Sequence, residues 1–216
     1  MAYEKLYNEI YAITALKYLW QGYAPGFVKG ESPDWRNDAA GIGIEVSQAL
    51  LPRDGQEESF LEAYLGCLRR EIPEDAFSRF GERLYFYNDR LWALLDDGVN
   101  DVGGAEKIIF RFRRKLLKLN TNYRCCNTNG LYLFVHQPLP LSGAKKLCKT
   151  LAALQAAEGC RFKLVFLDTE TEIYCLNLQK ETVELIPVPA KAQLFLKEKA
   201  EALRNEAPWP DGRIYE

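Results

Sequence analysis

Two apolar periodicities alternate along this chain, and their order limits the folds open to it more than any other feature. Leu6, Ile10, Ile13, Leu16 and Trp20 recur at helical spacing between Tyr3 and Trp20, with no proline among them, and the Gly22, Pro25, Gly26 stretch ends that helix. Ile42, Ile44 and Val46 then alternate with Gly43, Glu45 and Ser47, the period of a strand. Gly103 to Leu119 reads as helix, Leu131 to His136 as strand and Ser142 to Ala157 as helix. Phe162 to Leu167 and Glu172 to Leu178 flank Asp168-Thr169-Glu170-Thr171 as a hairpin, and a last helix covers Ala190 to Asn205. Such an order predicts the α/β (mixed α+β) class, a central sheet of parallel and antiparallel strands flanked by helices.

Between the first strand and the helix at Gly103 the pattern weakens. Asp54 to Glu71 predicts a helix with Phe60, Tyr64 and Leu68 as its stripe and Pro73 closing it, whereas Glu74 to Asp101 holds no decisive period. The reading is one domain over residues 1–216 with a helical or irregular insertion at about 50–103, since 216 residues suffice for a self-supporting core. The Pro208, Pro210, Gly212 tail reads as a surface strap.

The 28 basic and 30 acidic residues leave a net charge of -2, which excludes a histone-like or coating protein and requires any attraction to nucleic acid to come from local clustering. With no basic and apolar leader, and with apolar runs such as Leu131 to Val135 too short to span a bilayer, a cytoplasmic protein without a membrane partner is expected. Cysteines at 67, 125, 126, 148, 160 and 175 form no C-x-x-C pair, and His136 is the only histidine, so a zinc site is not expected. Adjacent Cys125 and Cys126 have the sequence of a redox pair but are read as ordinary half-buried thiols without a function, and His136 as a polar residue at a strand end.

Chemistry concentrates in Ser32-Pro33-Asp34-Trp35 followed by Ile42-Gly43-Ile44-Glu45-Val46-Ser47. Asp34 near the start of one strand and Glu45 on the polar face of the next are two carboxylates able to share one hard cation, Mg²⁺ or Mn²⁺, with the Val46 carbonyl as a further oxygen ligand. Taken singly each residue has a plainer meaning. Pro-Asp is a common turn opener, repeated here in Trp209-Pro210-Asp211-Gly212, and a strand glutamate can simply face water.

Taken together, these about 16 residues resemble the signature of the PD-(D/E)xK, or restriction-endonuclease-like, nuclease superfamily, and Ile-Gly-Ile-Glu-Val-Ser is similar to a variant of its strand in bacterial and phage-derived nuclease-like proteins. The resemblance implies a magnesium-dependent endonuclease or exonuclease that hydrolyses phosphodiester bonds of DNA or RNA. It also implies a glutamate from the first helix, for which Glu4 and Glu9 are the candidates, and Glu9 shares the helical face of Leu6, Ile13, Leu16 and Trp20. The lysine expected two residues after Glu45 is Ser47. In the helix Gly103 to Leu119, Ile108, Ile109, Phe112, Leu116 and Leu119 form the apolar face, and Lys107, Arg111, Arg114 and Lys118 lie opposite, as a nucleic-acid contact or as a solvated face. Lys115, at the edge of the apolar face, is the substitute for the missing lysine, and Tyr123 follows the helix as in such relatives. The catalytic set is therefore Asp34, Glu45, Glu9 and Lys115. The alternative is a non-catalytic protein of the same fold that binds nucleic acid or protein.

Overall fold

The structure, a computed structural model, describes residues 2–49, 56–57, 59–60, 63–81, 84–87, 89–94, 104–135 and 137–206. They form a mixed α/β protein with two compact units, one of residues 1–49 and 104–216 and one of residues 50–103.

The larger unit contains α1 (Ala2–Leu19), β1 (Val28–Lys29), β2 (Trp35–Asn37), β3 (Ile42–Gln48), α3 (Gly104–Thr121) and β6 (Thr128–Phe134). After these come α4 (Leu141–Leu154), β7 (Phe162–Asp168), β8 (Glu172–Asn177), β9 (Thr182–Pro187) and α5 (Ala190–Asn205). Its seven-stranded sheet has the order β1-β2-β3-β6-β7-β8-β9, with β3, β6 and β7 parallel and antiparallel pairs on either side of them. Two successive parallel crossovers in one direction place both connecting helices on the same face when they share a hand. Accordingly α3 and α4 bury Ile108, Phe112, Leu116, Leu147 and Leu151 against Leu131, Leu133, Val165 and Leu167. On the opposite face α1 and α5 pack Ile10, Ile13, Leu16, Leu196 and Leu203 against Ile44, Val46, Tyr132 and Phe166.

Two glycines allow this packing near the signature residues. A Cβ at Gly43 would lie 2.7 Å from Pro33 Cγ and 2.9 Å from Cys126 Sγ, and one at Gly130 would lie 2.5 Å from Ile44 Cδ1. Both positions hold the sheet closer to its neighbours than a larger residue permits.

The smaller unit contains a 3₁₀ turn at Arg69–Glu71, helix α2 (Glu74–Phe80) and an antiparallel hairpin of β4 (Leu84–Tyr87) and β5 (Arg90–Leu94) around Phe60, Ile72, Phe80, Leu84 and Leu91. Here the sequence reading needs correction. Pro73 precedes α2 instead of closing a helix, because its fixed φ suits a helix N-terminus, and the stretch read as irregular carries both a helix and a hairpin. Strand β9, absent from the sequence reading, lies at the sheet edge, where its largely exposed side chains blur the apolar alternation.

A disulfide joins Cys125 to Cys160, which corrects the reading of Cys125 as a thiol, whereas its neighbour Cys126 is free. Their spacing of 35 residues gave no local signal, and only the fold brings the α3–β6 and α4–β7 connections together. His136 and the Pro208 to Gly212 tail lie outside the described residues. Among the described residues no helix is long and apolar enough to cross a membrane.

Candidate active site

The register of β2 against β3 sets Trp35 opposite Ile44, so one step back Asp34 falls opposite Glu45. Asp34 Oδ2 accepts the Val46 N–H at 2.8 Å, and the Ser32-Pro33 bond just before it is cis. Glu9 comes from α1, whose placement is fixed by the Trp35 indole donating to the Glu9 carbonyl at 2.8 Å, a contact buried at both ends. All three acids are buried, with 4% of Glu9, 2% of Asp34 and 4% of Glu45 exposed. The polar face expected for Glu45 is not solvated, because β3 is an interior strand with a buried run over Gly43 to Val46.

Each carboxylate has one oxygen engaged and the other turned elsewhere. Glu45 Oε1 takes the Lys115 ammonium at 2.5 Å and the Tyr123 hydroxyl at 2.8 Å, while its Oε2 is buried without a hydrogen-bond partner among the described residues. Glu9 Oε2 pairs with Lys29 at 2.9 Å, and Oε1 is buried without a well-formed hydrogen bond, Lys5 Nζ standing 3.3 Å away. Asp34 Oδ2 holds the Val46 N–H, and Oδ1 has Lys5 Nζ at 4.0 Å. Lys29 is itself held by the Gly30 and Asp34 carbonyls, at 2.8 and 3.3 Å, and lies over the Trp35 ring.

Burial, then the charges of Glu45 and Glu9, push the Asp34 carboxyl up to about 7 against the opposing Val46 N–H. Burial raises Glu9 as well, but the hydrogen bond and charge of Lys29, a hydrogen bond from Asp34 and the charge of Lys5 outweigh it and leave Glu9 below its ordinary value. Of these two neighbouring carboxyls, Asp34 is thus the one that favours its proton and Glu9 the one that favours its charge. Burial and then Glu45 raise the Tyr123 phenol, keeping it a donor.

Sequence reasoning therefore named Asp34, Glu45, Glu9, Val46 and Lys115, and the fold brings these five together. Val46 enters through its N–H. The Glu4 side chain lies outside the described ones, and Ser47 is half-buried in β3. The basic face of α3 divides. Arg114 and Lys118 are exposed, but Lys107 and Arg111 are half-buried, and burial followed by Arg114 lowers the Arg111 pKa. Strict opposition to the apolar stripe overstated the exposure of those two. Lys5 and Lys29 were missed. Lys5 sits four residues before Glu9 and was open to notice, whereas Lys29, on a two-residue strand, gave no pattern.

Among the described residues no three Asp, Glu, His or Cys side chains stand in a ready-made cage for a metal ion, and lysines carry the balancing charge. The donor chemistry nonetheless fits a hard dication. Carboxylate oxygens buried without full hydrogen bonding are costly unless a cation or proton meets them, and oxygen is the ligand that Mg²⁺ and Mn²⁺ prefer. Fold and site define a mixed α/β protein with a buried acid cluster balanced by lysines. Comparison with protein families, curated proteins and solved structures finds no match.

Proposed function

We propose that this protein is a metal-dependent nuclease of the PD-(D/E)xK type, acting in the cytoplasm on phosphodiester bonds of DNA or RNA. The observation that carries the reading is the convergence of Glu9, Asp34 and Glu45 on one buried spot, with the Lys115 ammonium on Glu45. Asp34, Glu45, Glu9 and the Val46 carbonyl would hold Mg²⁺ or Mn²⁺. When bound, such an ion lowers the pKa of a coordinated water and offsets charge developing on the phosphoryl group. Lys115 fixes the Glu45 carboxylate and brings the positive charge that Ser47 does not supply two residues along β3. Tyr123 orients the same oxygen, and Arg114 and Lys118 offer phosphate contacts on α3.

The test is incubation with single- and double-stranded DNA and RNA in Mg²⁺ or Mn²⁺, with and without chelator. Chelator-sensitive cleavage that Asp34→Asn abolishes and Lys115→Ala reduces is expected, and Ser47→Lys should raise activity if charge beside Glu45 is limiting.

A second reading, a non-catalytic module that binds nucleic acid or protein, is favoured by the lysines that already balance the cluster. No cleavage by wild type or by Ser47→Lys, with no dication-induced rise in melting temperature of either, decides for it. The Cys125–Cys160 bond bears on the compartment, because disulfides are uncommon in the cytosol. Thiol trapping during lysis shows whether it exists in the cell.

A further inference from the structure

The three lysines at the acid cluster are not equivalent. Lys29 and Lys115 are tucked in, their side chains 23% and 13% exposed, and each binds one carboxylate oxygen, Glu9 Oε2 and Glu45 Oε1. Lys5 is different: its side chain is 70% exposed, yet its ammonium stands 3.3 Å from Glu9 Oε1 and 4.0 Å from Asp34 Oδ1. Those are the oxygens that Lys29 and the Val46 N–H leave aside. An ordinary i,i+4 helix pair explains a contact with Glu9 alone. It does not explain an ammonium lying between acids from α1 and from the Asp34 turn.

The geometry points to Lys5 as an internal stand-in for the dication, closing the cluster until the ion displaces it and then free to meet a substrate phosphate. This deepens the nuclease reading and rests on it. An exposed ammonium is held weakly and carries one charge, so a dication facing the same oxygens outcompetes it. The lysine has only to swing on its own chain into solvent, and α1 need not move. Lys5 is thereby a positioning residue for charge. Its exchange for the ion keeps a cation against these oxygens in both situations and would place an ammonium beside the incoming phosphate.

The experiment is calorimetric titration of the full chain with Mn²⁺ and Mg²⁺, comparing wild type with Lys5→Met, Lys5→Arg and the same-helix control Lys17→Met. Lys5→Met should bind Mn²⁺ about tenfold more tightly than wild type, as expected for loss of a competing charge at contact range, with Lys17→Met within about twofold of wild type. Lys5→Arg should stay close to wild type. Binding of a phosphorothioate oligonucleotide at saturating Mn²⁺ should fall in Lys5→Met. Equal Mn²⁺ affinity in wild type and Lys5→Met overturns the assignment while leaving the nuclease reading intact. An equal gain in Lys5→Met and Lys17→Met overturns it too, since that is bulk charge. No dication binding by any variant removes both.

Discussion

Glu45 is the residue whose surroundings most depend on a single neighbour. Its carboxylate is buried and paired with Lys115, so Lys115→Met should cost about 3 kcal/mol in chelator, the range for removing one partner of a buried pair. Tyr123→Phe should cost about 1–2 kcal/mol, as for a hydrogen bond to a charged group, and urea unfolding measures both. If a dication replaces part of the lost charge, saturating Mg²⁺ restores most of the Lys115→Met deficit; no restoration speaks against a cation at this carboxylate. Asp34 makes a separate demand. Its folded-state pKa of about 7 stands above the ordinary carboxylate value of 3.8, so its stability contribution is fully present below that value and is lost as pH rises through about 7. Glu9, shifted down, has the opposite sign: its contribution is present above its ordinary value and is lost only as pH falls below it. Between about pH 4 and 7, then, the unfolding free energy of the chelated protein in urea should decline by up to about 1.4 kcal/mol per pH unit, and Asp34→Asn should flatten that slope. An unchanged slope in Asp34→Asn places the titrating proton elsewhere.

At the scale of elements, sequence carried most of the larger unit because there local and tertiary demands agree. Ile10, Ile13 and Leu16 of the first helix are buried as their spacing requires, with Leu6 partly buried beside them, and the helix expected at Ala190 to Asn205 has those bounds. Asp34 and Glu45 were legible because strand period and cross-strand register are local rules, and Lys115 because it breaks the polarity of its helix at the edge of the apolar face. Lys29 was not, since two-residue β1 exists only by pairing with β2, and the Cys125–Cys160 bond was not, since two crossovers build it. The disulfide yields a direct count. Of six cysteines, 67, 126, 148 and 175 are free, so denatured, unreduced protein should react with four equivalents of thiol reagent and then six after reduction. Six from the outset means the bond does not form under the conditions of isolation. Helix α3 gives another test. Of the four bases on its polar face, Arg114 and Lys118 are the exposed ones, so neutralising both should lower the slope of log K against log salt by about 1–2, whereas an unchanged slope assigns that face to solvation.

Across the whole molecule the charge is unevenly divided. Residues 50–103 contain six arginines, no lysine and twelve acids, a net -6, while the remaining 22 basic and 18 acidic residues give the larger unit +4. A near-neutral chain thus divides into one unit of positive and one of negative net charge. The acid cluster, with every residue that holds it, belongs to the positive unit, assembled from α1, the Asp34 turn, β3 and α3, with 70 residues separating Lys115 from Glu45. The smaller unit has its own apolar cluster around Phe60, Ile72, Phe80, Leu84 and Leu91. Among its arginines Arg69 faces Asp89 and stacks over Phe86 within the unit. If the chain binds nucleic acid, contacts should therefore fall in residues 2–49 and 104–206 and spare 50–103. Photo-crosslinking to a thiouridine- or bromodeoxyuridine-labelled oligonucleotide, with peptides mapped by mass spectrometry, measures this directly. Crosslinks concentrated in 50–103 would reverse the assignment, because a segment of net -6 could bind a polyanion only through base stacking on exposed aromatics such as Tyr85, with little salt dependence.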